Sequence, residues 1–280
     1  DLRRGPCMAP ACEAAAPAEE AFRKLKPAKR LRVQYADGQA EEWPISEEDA
    51  ARARRRPCAA GNLQRPSYAF RGLCARPEWP EGSRPPQIAA VCTALEAAFP
   101  AILREVRRVC AELLNSDSDS DDGGGSDPAQ WTRHAEGLHS GVWQKLELWT
   151  NRRQLPETAR LVERLAMQPG SAVMLEPPGR CYLSLMLPGT QVGLHCGPSN
   201  HRLRLHLPVL LPHVRGPMGI RVAGQLLKWA VGKCLVFDDS FEHEVDLPQA
   251  EPGIVPSPRV LLVVDLWHPQ AGAMFGRALC

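Results

Sequence analysis

No run of about 20 apolar residues occurs in this 280-residue chain, so no segment is long and apolar enough for a membrane-spanning helix. Charge of one sign is also missing, since 34 basic residues against 32 acidic ones leave a formal +2. The electrostatic case for a nucleic-acid partner or an anionic membrane surface is therefore absent. Lysine is scarce, 6 residues against 28 arginines, a bias that fits a GC-rich coding sequence. The 10 cysteines fall well short of a disulfide scaffold and form no Cys-x-x-Cys pair, so they are read as reduced thiols with at most one or two bridges. At 44% apolar and 24% charged residues, wholesale disorder and collagen-like repeats are excluded. What is abundant is proline, 27 residues, and interior prolines break helices, so long uninterrupted helices are not expected. The length suits one or two domains of about 150 residues. The chain begins at Asp1 rather than Met and is read as a fragment or processed product, with a signal or anchor upstream left open.

Residues 1–66 show little periodicity and are read as a poorly structured N-terminal appendage. Within it, Leu31–Tyr35 alternates like a short strand, and Ser46–Arg56 reads as a short charged helix with acidic residues in its first turn. From 86 to 114 the apolar residues recur every three or four positions: Ile88, Val91, Leu95 and Ala98, a break at Pro100, then Ile102, Leu103, Val106, Val109, Cys110 and Leu113. The Asp/Ser/Gly tract that follows, 115–128, cannot bury apolar surface and is expected to be a disordered loop. A further helix fits Leu155–Gln168. Beyond Gly170 come eight candidate strands: Ala172–Leu175, Arg180–Leu187, Val192–Cys196, Arg202–Leu211, Gly219–Val222, Cys234–Phe237, His243–Asp246 and Val260–Trp267. Their spacing of about ten residues predicts an α+β fold, a jelly roll with supporting N-terminal helices.

The strand Arg202-Leu-Arg-Leu-His206-Leu puts its leucines on one face and Arg202, Arg204 and His206 on the other. From this strand alone two readings stay open: a solvated outer face, or the inner wall of a barrel where cations hold an anionic ligand. Three other segments shift the balance towards a site. They are His195-Cys-Gly-Pro, the block Phe237-Asp-Asp-Ser-Phe-Glu-His243-Glu-Val, and Arg259 at the head of an apolar strand.

The stretches His195–Leu207, Trp229–Val245 and Val264–Pro269 resemble the signature of the aspartyl/asparaginyl β-hydroxylase family. The resemblance extends upstream through Ser184–Thr190 and Gly141–Trp149 to about Phe70–Trp79 and covers roughly 200 residues. It implies an oxygenase domain over 67–280 on a double-stranded β-helix, a form of jelly roll, using Fe(II), 2-oxoglutarate and O2. Carried over residue by residue, it makes His195 and His243 the iron ligands. Gly197 stands where the wider superfamily places a carboxylate ligand. The resemblance makes Asp239 a group that orients metal-bound water; a turn carboxylate is the alternative. It assigns Arg259 and Ser184 to the distal carboxylate of 2-oxoglutarate, and Arg204 and His206 to the end nearer the metal. Asp238, Glu242 and Glu244 are further carboxylates near His243 that the family pattern leaves out of the metal shell.

The implied activity is hydroxylation of the β-carbon of Asp or Asn in a protein substrate, with disulfide-containing domains as candidate partners. Arg152 and Arg153 fall in a stretch resembling the family's substrate-side loop and would meet an acidic group. Two alternatives stand beside this: the same chemistry on a small molecule or lipid, and a non-catalytic binding protein that keeps the fold. Should an anchor lie upstream, the resemblance implies a membrane-anchored, lumenal placement.

Overall fold

The computed structural model describes residues 29–34, 40–45, 63–115 except 71, and 129–271 except 134–137 and 176–178. In the appendage, strands β1 (Lys29–Gln34) and β2 (Ala40–Ile45) form an antiparallel hairpin. The expected helix at 46–56 and all of the acidic tract after Asn115 lie outside the described residues. Helices α1 (Pro86–Ala97) and α2 (Phe99–Asn115) split where the sequence breaks its period, with Pro100 tolerated in the first turn of α2 because no backbone donor is needed there. The third helix, α3 (Pro156–Ala166), has no side-chain cap of its own. Its exposed backbone donors are met instead by buried Glu105 of α2, which accepts from Glu157 N at 2.7 Å and from Thr158 N at 2.9 Å. A carboxylate at a helix N-terminus is favoured both by those N–H groups and by the helix dipole. Among the described residues, no single helix is long and apolar enough to cross a membrane.

Eleven further strands follow. They are β3 (Thr132–Arg133), β4 (His139–Ser140), β5 (Trp143–Glu147), β6 (Cys181–Met186), β7 (Gln191–His195), β8 (Arg202–Leu210), β9 (Gly219–Val222), β10 (Gln225–Lys228), β11 (Leu235–Phe237), β12 (His243–Asp246) and β13 (Arg259–Trp267). They form two antiparallel sheets, one ordered β11-β8-β13-β6-β5-β3 and the other β10-β9-β12-β7-β4. From β6 onward the chain switches sheet after every strand, except at the β9–β10 hairpin, which is the double-stranded β-helix. Two differences from the sequence expectations stand out. Ala172–Leu175 is not a strand; it makes one isolated bridge, Val173 to Leu266. β10, with no alternation in Gln-Leu-Leu-Lys, was not expected. It pairs with β9 across a two-residue turn whose Ala223 and Gly224 both have positive φ, 48° and 80°, as a tight hairpin turn requires.

Period-two alternation decides what faces what. Leu203, Leu205 and Leu207 of β8, Leu183 and Leu185 of β6, and Val260, Leu262 and Val264 of β13 pack under the three helices in one apolar core. The intervening residues, Tyr182 and Met186 of β6 and Leu261 and Val263 of β13, face the other sheet in a second core with Ile220, Phe237 and Val245. Ser184, Arg202, Arg204, His206, Arg259 and Asp265 share this inner parity. The inner-wall reading of β8 is therefore the correct one, and the polar face is enclosed. The body includes residues upstream of 67: Gln64 is buried and bridges to Phe241.

Candidate functional site

One cavity opens between the sheets, lined by the seven residues that the resemblance assigns to metal, water and cosubstrate: Ser184, His195, Arg204, His206, Asp239, His243 and Arg259. Arg152 and Arg153 are exposed and are not part of its lining. His195 ends β7 and His243 opens β12. The two residues are direct partners in the antiparallel ladder, which brings their rings to a centroid separation of 4.1 Å. Each ring makes the same bond to its own chain two residues back. Nδ1 of His195 donates to Gly193 O, and Nδ1 of His243 to Phe241 O, both at 2.8 Å. A carbonyl oxygen can only accept, so each Nδ1 carries the proton and each Nε2 keeps its lone pair. This is the tautomer that a metal-binding imidazole needs. Burial, and then the neighbouring His195, push His243 down to about 3, so it stays neutral.

The carboxylates near His243 divide clearly. Asp238 accepts from Ser240 N at 2.9 Å and from Gln64 Nε2 at 3.3 Å, Glu242 pairs with Arg65, and Glu244 lies 3.3 Å from Arg221. None of the three lines the cavity; Asp239 alone does. A Cβ added at Gly197 would lie 2.5 Å from Asp239 Cγ. Asp239 thus occupies the space that a side chain at position 197 would need, and only glycine fits beneath it. Its Oδ2 is held by Arg202 Nη2 at 2.7 Å and Arg204 Nη1 at 3.3 Å, while its buried Oδ1 has no partner among the described residues. Burial opposes ionisation, but Arg202 and Arg204 overcome it and hold the carboxyl well below the usual carboxylate range. An ionised, buried and unsatisfied acceptor calls for a donor from outside the protein, such as metal-bound water.

Asp265, which sequence reasoning missed, completes a tetrad. It takes Arg202 Nη1 at 3.0 Å, Arg204 Nε at 2.9 Å and Arg204 Nη2 at 3.3 Å. The signal was a single carboxylate inside the apolar run that follows Arg259. Both line the cavity, but the Arg202 side chain is 1% exposed and that of Arg204 15%, so Arg204 keeps the more open edge.

Arg259 lies six residues before Asp265 on the same face of β13, about 20 Å away at 3.3 Å per residue. It is buried, its guanidinium stacks 5.0 Å from the Trp229 ring centre, and Nη2 donates to Ser184 Oγ at 2.9 Å. Its Nε has no partner, and no carboxylate pairs with it among the described residues. Burial pushes it down to about 9, so it is still a cation at neutral pH. Trp143 Nε1 also donates to Ser184 Oγ, at 3.1 Å. With both lone pairs of Ser184 taken, its own proton can only be given away. His206 is packed edge-on against Phe237 at 4.9 Å, is held neutral by burial and by Arg204 and Arg259, and among the described residues its Nδ1 has no partner. The whole arrangement offers two imidazole lone pairs and a carboxylate at one end, and a cation beside a hydroxyl donor at the other. Among the described residues no group of three or more His, Cys, Asp or Glu side chains forms a closed metal cage. Two imidazole lone pairs suit a divalent transition metal such as Fe(II), and a carboxylate suits the far end.

Residues 96–269, more than half of the chain, match the family model for aspartyl/asparaginyl β-hydroxylase. The chain belongs to that family. It is 36% identical over 146 residues to the mouse aspartyl/asparaginyl β-hydroxylase, covering 50% of this chain and 18% of that protein. It is 34% identical over 193 residues to aspartate β-hydroxylase domain-containing protein 2 of Xenopus tropicalis, covering 66% of this chain and 46% of the relative. The chain thus spans less than half the length of these relatives. A prolyl-4-hydroxylase structure from Pseudomonas putida aligns with 62% of this chain and 98% of its own at TM-score 0.34 and 14% identity. The jelly-roll assignment stands on the sheet topology itself.

Proposed function

We propose that this chain is an Fe(II)- and 2-oxoglutarate-dependent oxygenase that hydroxylates the β-carbon of Asp or Asn residues in a protein substrate. The observation that carries this reading is the pairing of two Nδ1-protonated imidazoles with a buried cation that lacks a carboxylate partner, in one cavity. His195 and His243 would hold the metal through Nε2, and Asp239 Oδ1 would accept from water bound to it. Arg259 and the Ser184 hydroxyl would grip the distal carboxylate of 2-oxoglutarate, with His206 and the open edge of Arg204 nearer the metal. Bound iron supplies the redox chemistry, in which 2-oxoglutarate and O2 give succinate and CO2 while one oxygen atom enters the substrate C–H bond. The protein's part is to present the cosubstrate in one orientation, keep His243 neutral, and hold Asp239 ionised as an acceptor.

The test is in two steps. Succinate formed with iron, ascorbate and 2-oxoglutarate establishes the oxygenase, and its absence with no metal uptake would favour a binding protein. Disulfide-containing peptides and acyl substrates are then compared for a +16 Da product. A product on Asp or Asn of the peptides supports the reading, and a product on the acyl compound alone overturns the protein-substrate part of it.

A further inference from the structure

Residues 63–79 lie outside the stretch that matches the family model. They run as a strap over the two loops that carry the paired histidines. Leu63 O accepts from Glu242 N at 2.7 Å, and Arg65 N donates to Ser240 O at 3.0 Å, both on the loop leading into His243. On the loop leaving His195, Tyr68 N donates to Pro198 O at 2.9 Å. Asn200 exchanges two hydrogen bonds with the Phe70 backbone, at 2.8 and 3.1 Å. Two side chains act closer to the site. Gln64 is buried, and its Nε2 donates to Asp238 Oδ2 at 3.3 Å and to Ser240 Oγ at 3.1 Å, on either side of Asp239. Arg65 pairs with Glu242, the residue before His243, and its backbone N donates to Ser240 O on the same loop.

The ladder pairs His195 with His243, and Gly197 N donates to Asp239 O just beyond them; the strap adds further links between the two loops. His195 is the last residue of β7 and His243 the first of β12, and the ladder shifts register between His243 and Val245. Beyond the two histidines the chain is loop, which holds position only through the contacts it makes. We propose that Gln64 and Arg65 are positioning residues for the metal-binding site, fixing the spacing of the two histidine loops from a segment outside the matched domain. The inference rests on the iron reading above.

Cobalt(II) binding to the full chain tests it without turnover. Gln64→Leu removes both side-chain bonds at similar volume, and Arg65→Met keeps the aliphatic stem. The double variant is expected to lose about 10- to 100-fold in cobalt affinity, the range for groups that orient metal ligands. The visible band of bound cobalt is expected to move, while the metal-free near-ultraviolet dichroism stays that of the wild type. Arg65→Lys, which keeps one donor to Glu242, is expected to recover part of the affinity. Wild-type affinity with an unmoved band overturns the inference, and so does an affinity loss matched by loss of the metal-free dichroism. Should the double variant not fold, Arg65→Met alone serves, since that side chain is 41% exposed. A wild type that takes up no more cobalt than His243→Ala overturns the iron reading as well; wild-type uptake with unaffected variants overturns this inference alone.

Discussion

Arg202 and Arg204, near the paired histidines, share two carboxylates, whereas Arg259 at the far end of the same cavity has a hydroxyl, an indole and, among the described residues, no carboxylate. The difference separates a cation that belongs to the fold from one kept for a ligand. At the paired end, two guanidiniums and two carboxylates cancel, so the charge that remains useful is the single unpartnered oxygen of Asp239. At the far end the charge is uncancelled, and a ligand carboxylate would complete it.

The sharpest way to break that contrast is to remove a partner at the paired end. Asp265→Ala would leave Arg202 and Arg204 sharing the single charge of Asp239, one buried cation uncompensated, and is expected to cost about 3–5 kcal/mol in urea unfolding of the metal-free protein. Arg259→Met, at the other end, removes a buried cation whose desolvation costs several kcal/mol. It also removes one charged hydrogen bond worth about 1.5–3 kcal/mol and a cation–π contact worth up to about 2. These nearly offset, so stability should stay within about 1 kcal/mol of the wild type. Equal losses in the two variants would show that the ends do not differ.

Ligand binding gives the next largest effect. Arg259→Lys keeps the charge but loses the planar fork. Affinity for 2-oxoglutarate, measured by calorimetry with manganese(II) and without oxygen, is expected to fall about 10- to 100-fold, equivalent to losing one charge-assisted hydrogen bond. Unchanged affinity would remove Arg259 from the distal carboxylate.

A third comparison is in protons. Burial, the largest cause in each case, pushes His201 to about 3, His243 to about 3 and His268 to about 4, against about 6.5 when unfolded. Because these folded-state values are depressed, the unfolded chain takes up the protons first. Stability is then full above about pH 6.5 and falls as pH drops towards 4. Each histidine contributes a slope of about 1.4 kcal/mol per pH unit across that window. His268→Gln, whose amide can still donate to Cys74 O, is expected to flatten the slope by one such proton. Stabilities measured from pH 7 to pH 4 check it, and an unchanged slope would show that His268 is not buried neutral.

Much of the site was legible locally, and what was missed was not local. Alternation in Arg202–Leu207 separated the two faces of β8, and the block around His243 placed Asp239 four residues before it. Asp265 was hidden because its strand reads as a continuous apolar run, and its partners lie 61 and 63 residues away. Gln64 was assigned to the appendage because its contacts, 174 and 176 residues distant, leave no periodic trace nearby. Ala172–Leu175 has the composition of a strand but finds a partner at only one position, so composition without pairing misled.

The smallest effect separates a group that touches the ligand from one that acts through a neighbour. Trp143 and Arg259 together fill both acceptor sites of Ser184, which obliges that hydroxyl to donate. In Trp143→Phe the ring remains but one lone pair of Ser184 is freed, so the hydroxyl can turn and accept as readily as donate. Loss of one neutral hydrogen bond is worth about 1 kcal/mol, or roughly fivefold in affinity for 2-oxoglutarate. An analogue whose distal carboxylate is an amide should lose less, because an amide can donate to the reoriented hydroxyl. Preference for acid over amide would therefore shrink in Trp143→Phe, with KM raised and kcat little changed. A packing defect would weaken both ligands equally, and an unchanged preference would show that Ser184 is polarised by Arg259 alone.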